Sequence, residues 1–175
     1  MPDMLVKLYD IPELAPALAR QRETGVTIRR GMPPEKFLTL PWIGQHFNQY
    51  WVSEADVAFA AHPPTIFLAH RGEQLLGFAC YDTALKNFFG PTGVDEAERG
   101  QGIGTALLLA ALHAMRADGY MYAIIGWAGP VSYYEKAVGA AVIPDSEPPG
   151  SYRGMLGTNA IFNEGAPADS FLEAP

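Results

Sequence analysis

Apolar residues in this chain gather in short runs separated by Gly, Pro, Asp and Asn, with one longer block dense in Ala and Leu. Near the start, residues 4–9 read as a short strand, 12–24 as a helix, and V-T-I-R-R at 26–30 as a second strand. After G-M-P-P the pattern turns aromatic and helical, with Trp42, Phe47, Tyr50 and Trp51. A further helix over 53–61 is expected to begin at Ser53, a residue type that caps helix starts by accepting from free N–H groups. His62-Pro63-Pro64 ends it. Three runs then read as a meander: T-I-F-L-A-H at 65–70, L-L-G-F-A-C-Y-D at 75–82 and N-F-F-G-P-T-G-V at 87–94. The Ala/Leu block predicts a helix ending near Asp118-Gly119, and Y-A-I-I-G-W at 122–127 is a continuous apolar run suited to a buried strand. V-S-Y-Y-E-K-A-V at 131–138 reads as a short helix with Pro130 in its first turn and Gly139 as C-cap, and Y-R-G-M-L at 152–156 as a last strand. Antiparallel strands followed by a strand, helix, strand crossover predict an α/β fold of the α+β type, a mixed but mostly antiparallel sheet flanked by helices.

With 175 residues, 49% of them hydrophobic, the chain can bury one sizeable core, and a single domain over residues 1–175 is expected. The longest apolar run, 106–112, is too short to cross a bilayer, and the start M-P-D-M-L-V-K-L-Y-D lacks the basic head and apolar stretch of a signal peptide. A cytoplasmic protein with no membrane partner is therefore expected. Cys80 is the one cysteine, so no internal disulfide can form, and no Cys/His cluster has metal-ligand spacing. A net charge of −7 argues against a nucleic-acid partner, because such binding rests on Lys and Arg neutralising phosphates. It leaves cationic small molecules open.

Most informative is R-G-Q-G-I-G-T at the head of the long helix, with Gly100, Gly102 and Gly104 in five residues. A helix start offers unpaired N–H groups and the positive end of the helix dipole, and glycines let an anion approach those amides closely. The same glycines could simply make a tight strand-to-helix turn. An NTPase loop would need G-K-[ST], and Ile103-Gly104-Thr105 holds no lysine. A dinucleotide loop would need a third glycine where Leu107 stands.

The pattern that fits is R-x-x-G-x-G, on Arg99, Gly102 and Gly104. Here the chain resembles the GNAT superfamily of acyl-CoA-dependent N-acetyltransferases, whose pyrophosphate signature is [QR]-x-x-G-x-[GA]. Val94 lies five positions before the arginine, where that family has an apolar strand end, and Ser132-Tyr133-Tyr134-Glu135-Lys136 matches its F-Y-E-K helix. The resemblance is firm over about 65–139 and loose outside it. It implies that Arg99, Gly100, Gln101, Gly102, Ile103, Gly104 and Thr105 hold the pyrophosphate of acetyl-CoA, the acyl donor. It also implies that the strand interrupted by Gly90-Pro91 carries a bulge and splays from the strand after the helix. Backbone groups at Thr92 and Val94 would then bond the pantetheine amides, as an added strand would.

By the same resemblance, Tyr134 donates a proton to the departing sulfur. Neighbours on a helix point about 100° apart, so Tyr133 is expected to point elsewhere, the alternative being that both tyrosines pack the short helix on the sheet. No carboxylate lies on 87–94, so the base is left unassigned. Asp82 is the nearest candidate and is equally suited to capping the turn after its strand; a water chain could also serve. His113, in mid-helix, reads as a surface or satisfied core residue. Trp42, Tyr50, Trp51 and Trp127 could line an acceptor pocket or pack the core. The expected activity is acetyl transfer to a primary amine, a small molecule. A non-catalytic acyl-CoA-binding module and a protein N-acetyltransferase are the alternatives, and a homodimer stays open.

Overall fold

The computed structural model describes residues 1–148 and 150–156. In chain order the elements are β1 (Met4–Lys7), α1 (Leu14–Glu23), β2 (Thr27–Arg30), α2 (Lys36–His46), α3 (Gln49–Ala60), β3 (Ile66–Arg71), β4 (Gln74–Tyr81), β5 (Phe88–Val94), α4 (Ile103–Ala117), β6 (Tyr122–Ile125), α5 (Val131–Val138) and β7 (Ala141–Val142). Among the described residues the strands form one sheet in the order β2-β3-β4-β5-β6-β1-β7. Every neighbouring pair is antiparallel except β5 and β6. The mixed, mostly antiparallel sheet expected from the sequence is present, with the meander as β3, β4 and β5.

Alternation along β4 sends side chains to opposite faces of the sheet. Ala79 and Tyr81 join a core with Leu107, Leu108, Leu112 and Met115 of α4, all buried. Phe78 and Cys80 join a second core with Ile43 of α2, Phe59 of α3 and Phe47 between those helices. Each fully buried Leu, Phe or Met is worth about 1.5–3 kcal/mol, so the two clusters clamp the sheet from both faces. Phe47 fixes where the α2–α3 layer sits. Its ring lies over Gly93 of β5, where a Cβ would collide with it.

Two sequence expectations are corrected. Ser53 is not the N-cap of α3: the helix starts a turn earlier, where the Asn48 side chain accepts from the Trp51 N–H at 3.0 Å. Ser53 lies inside, its hydroxyl donating back to the Gln49 carbonyl at 3.1 Å. Residues 152–156 are not a strand. Gly150–Tyr152 form a 3₁₀ turn, and the positive φ of Gly150 and Gly154 bends the chain away from an extended path. The outer strand is instead β7, pairing with β1 through Met4↔Val142 and Leu5↔Ala141.

β5 and β6 pair only at Phe88↔Ile124 and Phe89↔Ile125 before they part. Next to that point the β4–β5 register shifts between Ala79 and Tyr81, opposite Gly90-Pro91. The bulge absorbs the proline, which has no N–H to give a ladder. The result is an open slot between two central strands.

Candidate active site

The glycine loop stands at one end of this slot. Gly100 and Gly102 have φ of +79° and +82°, a left-handed conformation open to glycine, and Gly102 caps α4 with no side-chain hydrogen bond. The first-turn N–H groups of Ile103, Gly104 and Thr105 thus meet no capping side chain. Gly104 is a different case: its φ is ordinary, and a Cβ there would make only van der Waals contacts, 3.6 Å to Val94 and 3.7 Å to the Tyr133 hydroxyl. Neither backbone nor packing requires glycine at this position, and alanine would favour the helix by about 1 kcal/mol. A side chain here would start in the space beside Val94 and Tyr133, at the first turn of α4.

Neighbouring side chains brace the loop. The buried Gln21 of α1 donates to the Gln101 carbonyl at 3.0 Å. Arg71 grips Glu98 through both carboxylate oxygens at 2.9 and 3.0 Å and holds its carboxyl below the usual range. The Gln101 side chain turns to Glu98 at 3.1 Å, so this residue would face a ligand with its backbone alone. Ile103 is buried in the core and likewise offers only its N–H. Arg99 is exposed, its Nε donating to the Val94 carbonyl at 3.3 Å, and no carboxylate pairs with it among the described residues. The result is a face of first-turn amides beside a guanidinium that has no carboxylate partner among the described residues.

Along the slot, the Asp95 N–H donates to the Leu76 carbonyl at 2.8 Å, toward β4. Alternation turns the N–H groups of Val94 and Thr92 the other way, into the gap left by β6. The Thr92 hydroxyl is already engaged with the Phe78 carbonyl at 3.0 Å. The slot widens into a cavity of about 870 Å³, lined by Pro91 and Thr92 of β5, Trp51 and Glu54 of α3, Trp127 after β6, and Tyr134 of α5.

Tyr134 is 7% exposed, and its hydroxyl has no hydrogen-bond partner among the described residues. Burial pushes its phenol well above the usual range, so it keeps its proton at neutral pH. Tyr133 diverges, its ring edge-on to Tyr134 at 5.0 Å and its hydroxyl 3.3 Å from Thr105 Oγ1. The expectation that Tyr133 points elsewhere holds for the cavity. It reaches the glycine loop instead.

Asp82 is occupied as a turn cap. Its carboxylate accepts from the Asn87 N–H at 2.8 Å and the Tyr120 hydroxyl at 2.7 Å, and it pushes the Tyr120 phenol up to about 12. His113 bonds the Pro12 carbonyl at 2.9 Å on the surface. Trp42 packs in the second core, stacked on His46 at 4.3 Å, whereas Tyr50, Trp51 and Trp127 line the cavity.

The sequence reading missed Glu54 and Asp3. Glu54 lies one helical turn after Trp51, a spacing that puts both on one face of α3. Burial raises its carboxyl above the usual range. Asp3 is buried at the end of β1 and accepts from the Trp127 N–H at 3.0 Å, the Ser151 N–H at 3.3 Å and the Ser151 hydroxyl. It holds Trp127 at a φ of +45°, costly for a bulky residue, and ties down the C-terminal turn. No sequence signal announced it, because its partners lie more than 120 residues away.

The model of the acetyltransferase (GNAT) family matches residues 32–140, more than half of the chain. The chain belongs to the GNAT acetyltransferase family. Solved GNAT structures share its fold. A GCN5-related glucosamine N-acetyltransferase region of a fungal multi-domain β-N-acetylglucosaminidase superposes with a TM-score of 0.66 at 14% identity over 81% of this chain. A GCN5-related N-acetyltransferase from Sphaerobacter thermophilus gives 0.62 at 19% identity, also over 81%. A GNAT family acetyltransferase from Brucella melitensis, solved with acetyl-CoA, gives 0.51 at 24% identity over 63% of this chain and 80% of its own. The chain spans 19% and 48% of the length of the first two proteins. Among curated protein sequences none matches it. No group of three His, Cys, Asp or Glu side chains is placed to hold a metal ion among the described residues.

Proposed function

We propose that this GNAT chain transfers an acetyl group from acetyl-CoA to the primary amine of a small molecule. The observation that carries the reading is spatial: a helix start without a side chain at Gly104 lies beside Val94 of β5, the strand whose Pro91 and Thr92 line the same cavity as Tyr134. The first-turn amides of α4 and the Arg99 guanidinium bind the diphosphate, and the N–H groups of Thr92 and Val94 hold the pantetheine arm as a substitute strand. The cavity then receives thioester and amine together.

A neutral amine attacks the thioester carbonyl carbon, and the C–S bond breaks with its electron pair going to sulfur. Tyr134, which holds its proton tightly, donates a hydrogen bond to the developing thiolate. It passes the proton on as the nitrogen's surplus proton refills the phenol, so no free phenolate builds up. The donor meets the sulfur most strongly as charge develops, which lowers the barrier rather than tightening the ground state. The test is release of coenzyme A thiol from acetyl-CoA across a panel of primary amines. Amine-dependent release is expected; binding of coenzyme A with no amine-dependent release from any member would favour a non-catalytic module.

A further inference from the structure

Glu54 is placed in the cavity wall in a way that its surroundings do not explain. Its carboxylate is partly buried and makes no ion pair among the described residues. Its partner is Thr83, whose hydroxyl oxygen lies 3.0 Å from Glu54 Oε2 and also 3.0 Å from the carbonyl of Gly90 at the β5 bulge. A threonine hydroxyl has one proton to give. If Thr83 donates to Gly90, the contact with Glu54 needs a proton on the carboxyl; if Glu54 is ionised, Thr83 turns to donate to it. The pair can therefore hold Glu54 in either state. Titratable neighbours do not compensate the charge: Cys80 of β4 and Tyr152 of the C-terminal turn are both pushed up, by burial first and by Glu54 second, and stay neutral. Among the described residues the cations on the cavity wall are Arg153 and the Met1 amine, the latter 3.4 Å from Glu147.

The wall beside Glu54 is aromatic and aliphatic. Trp127 and Tyr152 meet at 4.4 Å, and Trp51, Leu85 and Pro91 extend the surface. A partly desolvated carboxylate with no cation of its own, set in such a wall, suits one positive charge carried on an apolar body. We propose that Glu54 receives the ammonium group of the acceptor and takes its proton, and that the aromatic wall selects monoamines with an apolar body. The inference rests on the acetyl-transfer reading. In the step assigned here, one N–H bond of the ammonium breaks, its electron pair stays on nitrogen as the attacking lone pair, and the proton goes to a Glu54 carboxylate oxygen. After transfer that proton leaves to solvent from the partly exposed carboxyl.

The experiment uses the full chain and reads binding as well as turnover. 2-Phenylethylamine, spermidine and glycine are titrated into the coenzyme A complex, followed by tryptophan fluorescence because Trp51 and Trp127 line the site. The same amines are then assayed with acetyl-CoA. 2-Phenylethylamine should bind at least tenfold more tightly than the other two. Glu54→Gln, which keeps the side-chain shape and the Thr83 contact, should weaken that binding about tenfold and lower kcat/KM by two powers of ten or more, with coenzyme A binding unchanged. Equal 2-phenylethylamine binding by the parent and Glu54→Gln, or a preference for glycine or spermidine, overturns the assignment and leaves acetyl transfer standing. Failure of the parent to bind coenzyme A overturns the acetyl-transfer reading instead.

Discussion

On the proposed donor side of the cleft, the groups assigned to the ligand come from consecutive residues at a helix start, and they are backbone amides with no capping side chain. On the acceptor side, the wall is gathered from Glu54, Trp127, Tyr134 and Tyr152, on four separate segments. In the proposed function the donor side binds through geometry that a few glycines and one helix supply. The acceptor side depends on tertiary packing, on a strained Trp127 and on Asp3 tying the last turn to β1. A GNAT chain can thus keep one half recognisable while the other half changes with its amine.

The contrast can be broken first at Tyr134, where the two halves meet. Tyr134→Phe keeps the ring and its packing and removes the proton donor, so kcat should fall by about two to three powers of ten, while coenzyme A affinity and melting temperature stay near the parent's. Parent-like turnover on a good acceptor would make Tyr134 a packing residue. Asp3→Ala comes next and should damage the acceptor side alone. It removes the carboxylate that accepts from the Trp127 and Ser151 N–H groups and should cost about 2 kcal/mol, or roughly 5 °C in melting temperature. Calorimetry should still find parent-like coenzyme A affinity in the folded fraction; a joint loss would mean that the halves are not independent. The smallest effect belongs to Tyr133→Phe. Its hydroxyl touches Thr105 at the loop, so coenzyme A affinity should drop threefold to tenfold with kcat at saturation unchanged, the opposite signature to Tyr134→Phe.

The same division explains what could be read from the sequence. Arg99, Gly102 and Gly104 are close in the chain, so their spacing carries their geometry directly, and the meander and long helix follow from local periodicity. Tyr134 came from its neighbours in the short helix, again a local pattern. Glu54 and Asp3 are single carboxylates whose meaning depends on what folding brings to them. The start of α3 was misplaced because Ser53 and Asn48 are both competent caps, and Phe47 seating on Gly93 decides between them. The last segment was read as a strand because Tyr152, Met155 and Leu156 are apolar. Left-handed Gly154 within it, and left-handed Gly150 and the Asp3 contact at Ser151 just before it, outweigh that propensity.

The central claim is that the side-chain-free start of α4 is a diphosphate site, and calorimetric titration of coenzyme A into the parent and into Gly104→Val tests it most directly. A valine there puts a branched side chain beside Val94 and Tyr133 at the first turn of α4, and its Cβ meets only ordinary contacts in the free protein. The parent should bind coenzyme A in preference to magnesium nucleoside triphosphate, and Gly104→Val should fold like the parent yet bind at least a hundredfold more weakly, the loss of one or two charge-assisted hydrogen bonds. Unchanged affinity in a folded Gly104→Val, or no coenzyme A binding by the parent at millimolar concentration, would contradict the account.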